Sequence, residues 1–367
     1  MQQGRAFATQ VAFAMLLPLL LAGCGKAGYY LHLAGGQWDL LSSRTPISSV
    51  ISDPNTPPAL AEALREVLAV RQFAIDSLAL PDNGSYTTYV DLQRDAVVWN
   101  VMATPRYSLE ALERCHWFVG CLAYQGFFDP RRADVLAAEL AEQGWDAMVA
   151  PVPAYSTLGR FKDPVVSSML AWGRSALLGT VIHEMTHERL FIASDTTFNE
   201  SYASFVEAEG LRQWQALRGT EADPDDRLRQ QRRREFIEMV LTTRAQLAVD
   251  YVVLAGDDDA LETAKQARFT DLRQRYQQRR DHEWNGWRGY DAWFDRPLNN
   301  AHLLPFGLYD EWVPAFATLF DQVGRDWPAF HEAVKQLGNL PTETRHERLE
   351  QLLASTPCEV SANPECG

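Results

Sequence analysis

Residues 177–190 read LLGTVIHEMTHERL. His183 and His187 are four positions apart in this stretch, and Glu184 directly follows the first histidine. The apolar residues before them are typical of a buried helix, on which side chains four positions apart lie one turn apart on the same face. The spacing therefore predicts a helix on which both imidazoles point to one place.

This predicted helix has the HExxH arrangement of zinc peptidases. Zinc binds histidine nitrogens at about 2.0–2.1 Å, a distance that two imidazoles one turn apart can meet together. From its position beside His183, the carboxylate of Glu184 can reach a water in the open position of the metal and act as general base. The motif thus predicts Zn²⁺ as cofactor, with His183 and His187 as ligands. The alternative is an amphipathic helix whose two histidines lie at a polar surface.

A third ligand is predicted 13 positions after His187. The string Asn199-Glu200-Ser201-Tyr202-Ala203 resembles the Asn-Glu-x-x-Ala/Ser string of gluzincin peptidases, which implies Glu200 as the third zinc ligand. Two alternatives remain open. Thr197 and Glu200 have the spacing of a capping box, in which Glu200 would only bond a backbone amide. Glu207, two turns further on, is the other candidate, either as the ligand or as an acid that orients one.

Further polar residues are candidates for supporting roles. Hydrolysis of a peptide bond needs a hydrogen-bond donor for the oxyanion besides the metal. Candidates are Tyr155, Tyr309 and His302, each of which could instead be an ordinary core or surface residue. Asp195 could orient a ligating histidine or cap the loop before the next helix.

The order of the elements predicts an α+β fold. Strands are predicted at 86–92, 96–102, 116–124 and 145–152, with an extended edge segment at 154–161 that could pair with a peptide. Helices are predicted at 29–41, 57–80, 130–143, 175–193 and 197–217, and residues 224–290 and 308–356 are largely helix-prone. This order indicates a zincin-like catalytic lobe over residues 24–220, with a small mixed sheet and the HExxH helix. A largely helical lobe over residues 221–367 follows it.

The first residues have the pattern of an export signal. Arg5 provides a positive charge, and residues 12–22 form an apolar stretch too short to span a bilayer comfortably. The stretch ends in Leu21-Ala22-Gly23-Cys24, which resembles the lipobox of bacterial lipoproteins. The resemblance implies that residues 1–23 are removed as a signal peptide and that acylated Cys24 anchors the protein in a membrane. Gly25 and Lys26 follow, with no Asp to indicate retention at the inner membrane, so in a Gram-negative host we expect the periplasmic face of the outer membrane. The alternative is an ordinary cleaved signal with an incidental cysteine.

The other cysteines and the net charge indicate which bonds and which partners to expect. In an oxidising compartment, Cys115 with Cys121 and Cys358 with Cys366 predict two local disulfides. The alternative for the first pair is a metal site together with His116. The formal net charge is −14, which argues against a nucleic-acid partner. Nothing in the sequence indicates an oligomeric state.

Strings along most of the chain resemble one family. They are Leu80–Tyr86, Val98–Val101, Pro153–Gly159, His183–Leu190, Asp195–Glu200, Asn299–Ala301 and Val313–Phe316. The family is that of the predicted aminopeptidases found as bacterial lipoproteins, gluzincin-like enzymes with an HExxH zinc site. The resemblance implies peptide substrates. At position 188 this family usually has glutamine where this chain has Glu188, a change that we expect to face solvent.

Two classes of function follow from these patterns. The first is a zinc-dependent peptidase, and the resemblance implies an aminopeptidase. No residue stands out as the acid that would hold the free amine of the substrate, so endopeptidase, carboxypeptidase and amidase activity stay open. The second class is a non-catalytic lipoprotein of the cell envelope that uses a zincin scaffold for binding. Glu184 favours the first class, because a purely structural metal site needs no base.

Overall fold

The computed structural model describes residues 27–116, 120–154, 156–219, 224–306 and 311–355. Helices dominate these residues and three small sheets accompany them, which confirms the predicted α+β fold. The strands are β1 (Thr45–Pro46), β2 (Thr88–Val90), β3 (Val98–Pro105), β4 (Arg114–His116), β5 (Gly120–Leu122), β6 (Gln125–Phe127), β7 (Trp145–Val152) and β8 (Val165–Val166). The predicted signal peptide (residues 1–23) and Cys24 lie outside the described ranges, as do Tyr155, Tyr309, Cys358 and Cys366.

A helix forms within each stretch that the sequence predicted to be helical, although some helix ends differ from the predicted ones. They are α1 (27–42), α2 (Ile47–Ser52), α3 (Pro58–Leu78), α4 (Pro130–Glu142), α5 (Arg174–Arg189), α6 (Thr196–Arg218), α7 (Pro224–Val253), α8 (Asp258–Gln278), α9 (Asp291–Phe294), α10 (Val313–Gln322), α11 (Trp327–Gly338) and α12 (Thr342–Ala354). A π-helical turn at Arg279–Glu283 and short 3-10 helices at Ser167–Trp172 and Asn300–Leu303 complete the set.

The longest strand pair joins β3 and β7. The two strands run antiparallel from the pair Val98–Val152 to the pair Pro105–Trp145, and β6 pairs with the other edge of β3. Helix α4 covers one face of this sheet and follows Asp129, whose carboxylate caps the helix by accepting a hydrogen bond from the Arg131 amide.

The predicted edge strand at 154–161 is wrong. The chain turns there, because the buried carboxylate of Asp163 accepts hydrogen bonds from both the amide and the hydroxyl of Thr157. Leu158 and Gly159 follow with positive φ angles of 56° and 74°, which no strand accommodates. The small mixed sheet lies next to this turn: β2 pairs antiparallel with β1 and parallel with β8.

Helices α3, α5 and α6 form the centre of the largest apolar core. Gly210 of α6 lets the helices approach closely, since an added Cβ would lie 2.7 Å from Leu78 and 3.4 Å from Ile182. Helices α10, α11 and α12 pack on the other side of α6, where Phe205 and Phe330 are in ring contact. The last three helices therefore support the helix that carries Glu200.

Helices α7 and α8 and the segment after them surround a second, aromatic core. The ammonium group of Lys265 links this core to the long sheet, where it pairs with Asp146 at 2.6 Å and donates to the Arg106 carbonyl. Lys265 is 4% exposed, so this link is a buried ion pair. The division of the chain at residues 220 and 221 stays a prediction.

Cys115 and Cys121 face each other across the β4–β5 hairpin and form a disulfide, as predicted. The bond joins the two sulfurs to each other, which argues against the alternative that they bind a metal together with His116. Within the described parts of the chain, no helix is both long and apolar enough to cross a membrane.

Candidate active site

Helix α5 places the two histidines over the apolar core. The residues that hold the helix in the core are Leu177, Leu178, Val181, Ile182 and Met185, each at most 4% exposed. His183 and His187 project from one face of it, and their Nε2 atoms are 3.2 Å apart. The alternative that the two histidines lie at a polar surface is therefore wrong: the side chains of His183 and His187 are only 12% and 6% exposed.

Helix α6 brings Glu200 to the same point. A tight loop joins the two helices, because the side-chain amide of Asn199 bonds both the amide and the carbonyl of Ile192 at 2.8 Å. The N-cap of α6 is Asp195, whose carboxylate accepts from the Phe198 amide. The capping-box alternative for Glu200 is thus wrong, since Thr197 lies inside the helix.

Three side-chain atoms converge between these helices. Glu200 Oε2 lies 3.2 Å from His183 Nε2 and 3.6 Å from His187 Nε2, and the two nitrogens close the triangle at 3.2 Å. These three residues form a group that could hold a metal ion. Four ligands at about 2.0–2.1 Å in a tetrahedron lie about 3.3 Å from one another. The triangle therefore has the size of one face of such a tetrahedron.

Each ring nitrogen of His183 lies within hydrogen-bond distance of a carboxylate. Its Nδ1 bonds Glu207 Oε2 at 3.1 Å, and its Nε2 bonds Glu200 Oε2 at 3.2 Å. When the ring is neutral and donates to Glu207, its Nε2 is a second acceptor that faces the carboxylate of Glu200. Two acceptors at this distance need a proton or a cation between them. Burial opposes a charge on His183, but its hydrogen bonds with Glu200 and Glu207 outweigh burial and raise its pKa well above the usual value. The site thus attracts positive charge.

Glu207 lies behind His183, away from the three converging atoms. Gly179, one turn before His183, provides the space for it: an added Cβ would lie 2.6 Å from Glu207 Oε1. The contact with Nδ1 fixes the orientation of the ring. This arrangement favours the orienting role over the ligand role for Glu207.

Glu184 lies beside the cluster on α5. Burial raises the pKa of its carboxyl group, and the charges of Glu200 and Glu188 raise it further, while the two histidines oppose the shift. A carboxylate with a raised pKa is a better proton acceptor than an exposed glutamate.

The expectation that Glu188 faces solvent is wrong. Asn83 donates to its Oε2 at 2.9 Å, and its Oε1 is buried. The side chain of Tyr86 is 1% exposed, and its backbone has a φ angle of 59°, a conformation that few tyrosines adopt. Burial raises the pKa of its hydroxyl group well above the usual value, and the negative charge of Glu184 adds to this shift. The loop around Asn83 and Tyr86 therefore packs behind the HExxH helix. The sequence predicted Tyr86 only as the start of a strand; its place in the string Leu80–Tyr86, which carries the family resemblance, was the available signal.

Asp195 caps the loop, which was one of its two predicted roles. Besides the Phe198 amide, its carboxylate pairs with the guanidinium of Arg345 at 2.6 Å and with His346 Nε2 at 3.1 Å. Asp195 and Arg345 are both buried, so α12 is tied to the start of α6. These contacts fix the helix end from which Glu200 projects.

The structure does not bring His302 into this cluster. Its Nδ1 accepts from the Asn299 amide, and its ring contacts Trp293 beside the second core. Burial, with the positive charge of Arg296, lowers the pKa of His302 to about 4. These contacts give His302 a structural role.

The chain is therefore an α+β protein built around an HExxH helix, α5. The neighbouring helix α6 supplies Glu200, the third residue of the group that could hold a metal ion. Residues 28–349 match the family described as "Putative aminopeptidase", and the chain belongs to that family. The membership supports a peptidase with peptide substrates. No curated protein and no solved structure matches the chain.

Proposed function

We propose that the protein is a zinc-dependent aminopeptidase whose metal ligands are His183, His187 and Glu200. The triangle of three donor atoms carries this proposal. It combines two nitrogens and one carboxylate oxygen, a ligand set that catalytic zinc sites use. Family membership supports the choice of peptides as substrates, and the family description supports action at a free amino terminus.

The residues of the chain divide the chemistry among them. Zinc, when bound, would polarise the scissile carbonyl and lower the pKa of the attacking water. Glu184 accepts the proton of that water and later delivers it to the leaving amine. Glu207 holds the ring of His183 so that its Nε2 points toward Glu200 and His187, where it would serve as a ligand. Tyr155 and Tyr309 remain candidates for the oxyanion donor.

Removal of the metal provides the direct test. Purified protein should contain about one zinc per chain by elemental analysis. A chelator should abolish cleavage of a peptide library that offers both amino-terminal and internal bonds, and added Zn²⁺ should restore it. Mass spectrometry of the products identifies which bonds are cut. A protein that cleaves peptides equally well after complete removal of metal would contradict the proposal.

The site of action is a separate proposal. The string Leu21-Ala22-Gly23-Cys24 supports a lipoprotein that is acylated at Cys24 and anchored at the periplasmic face of the outer membrane. Mass spectrometry of the mature amino terminus should show cleavage before Cys24 and attached acyl chains. Cys24→Ser should prevent both changes. An unmodified terminus at another residue would refute the anchor and leave the proposed peptidase activity untouched.

A further inference from the structure

Helix α1 packs on the long sheet through one face only. The hydroxyl of Tyr29 donates to the Gly126 carbonyl at 3.1 Å, and His32 Nε2 accepts from the Phe128 amide at 3.1 Å. Gly36 lies so close to Phe128 that an added Cβ would overlap its ring. These contacts fix the rotation of the helix about its axis and determine which residues face away from the body.

The opposite face of α1 is apolar and exposed. Leu31 and Trp38 are 73% and 71% exposed, which is unusual for side chains of their size. They are seven positions apart, so they lie two turns apart on one face. Small residues complete the face, and none of its members is charged; they are Ala27, Leu31, Ala34, Gly35 and Trp38. A Cβ added at Gly35 would meet nothing within 4 Å, so the face is open.

This face begins very close to the proposed anchor. Only three peptide units separate Cys24 from Ala27, and a fully extended chain covers at most about 10 Å over that length. If the acyl chains of Cys24 are inserted in a bilayer, the start of α1 must lie at the bilayer surface. Leu31 follows one turn later. The proposed anchor thus leaves the helix little freedom to move away from the lipid.

We propose that the face formed by Ala27, Leu31, Ala34, Gly35 and Trp38 lies on the lipid bilayer and sets the orientation of the protein on it. The proposal rests on the acylated anchor at Cys24 and is independent of the peptidase chemistry. Tryptophan is favoured at the membrane interface, and leucine gains from burial among acyl chains. Asp39 lies at the edge of the face, where its carboxylate can stay in water.

The contact can be measured on the complete, acylated protein. The protein is reconstituted in vesicles of phosphatidylethanolamine and phosphatidylglycerol, with and without lipids brominated on their acyl chains. Bromine quenches tryptophan emission on contact. Because the chain has 11 tryptophans, the emission of Trp38 is obtained as the difference between wild type and Trp38→Phe. Trp293→Phe, which removes a partly buried tryptophan of the second core, is the matched control.

We expect brominated lipid to remove most of the Trp38 emission and to leave the Trp293 emission unchanged. Equal Trp38 emission in both kinds of vesicle would overturn the proposal. Mass spectrometry of the same sample reports whether Cys24 is acylated; an unmodified cysteine would remove the basis of the proposal. Self-association in detergent that Leu31→Asp abolishes would assign the face to a second copy of the chain and would also overturn it.

Discussion

Glu184→Gln should retain zinc and the folded state but hydrolyse peptides at least about a hundredfold more slowly than wild type. Glutamine has nearly the shape of glutamate, so the packing of α5 should survive the change. It cannot accept the proton of the attacking water, and general-base assistance typically contributes about 10²–10⁴ in rate. The rate constant for cleavage, measured at saturating substrate beside the zinc content, checks this expectation.

Glu188→Gln is the matched control for this experiment. It makes the same chemical change one turn further along α5, and the amide oxygen can still accept from Asn83. We expect this variant to keep most of the wild-type rate. If Glu184→Gln cleaves as fast as wild type, Glu184 is not the base. If wild type binds zinc but cleaves no peptide, the scaffold acts in binding.

Local sequence patterns predicted the elements around the site well. Strand β7 has the predicted limits, and α6 begins one residue before the predicted start, because Asp195 is a strong N-cap. Helix α5 ends at Arg189, four residues before the predicted end. After Arg189 the side chain of Asn199 forms hydrogen bonds with the backbone of Ile192, which holds residues 190–193 in a loop instead of a helix. Such a contact between two segments is invisible to a pattern within either one.

The contacts that complete the site join distant parts of the chain. Arg345 meets Asp195 across 150 positions, and Asn83 meets Glu188 across 105. Periodicity and spacing carry no information about such pairs. The errors at Glu188 and at residues 154–161 have this origin: both segments lie against the loop around Tyr86, whose backbone amide bonds the Asp163 carbonyl. The HExxH spacing and the Asn-Glu string predicted residues that meet in the structure, because each motif lies within a single helix.

Glu200→Ala should lose nearly all bound zinc, whereas Glu207→Ala should bind one zinc per chain with reduced affinity. Among the described residues Glu200 provides one of three converging ligand atoms, so its removal leaves the two histidine nitrogens for the metal. Glu207 contacts only the far nitrogen of His183, and loss of such an orienting partner typically weakens metal binding about 10–100-fold. Competition with a chelator of known affinity, followed by elemental analysis, separates the two effects. Circular dichroism of both variants verifies that α5 and α6 still form. Loss of zinc in Glu207→Ala alone would make Glu207 the third ligand, and full occupancy at wild-type affinity in both variants would rule out a site of the gluzincin type.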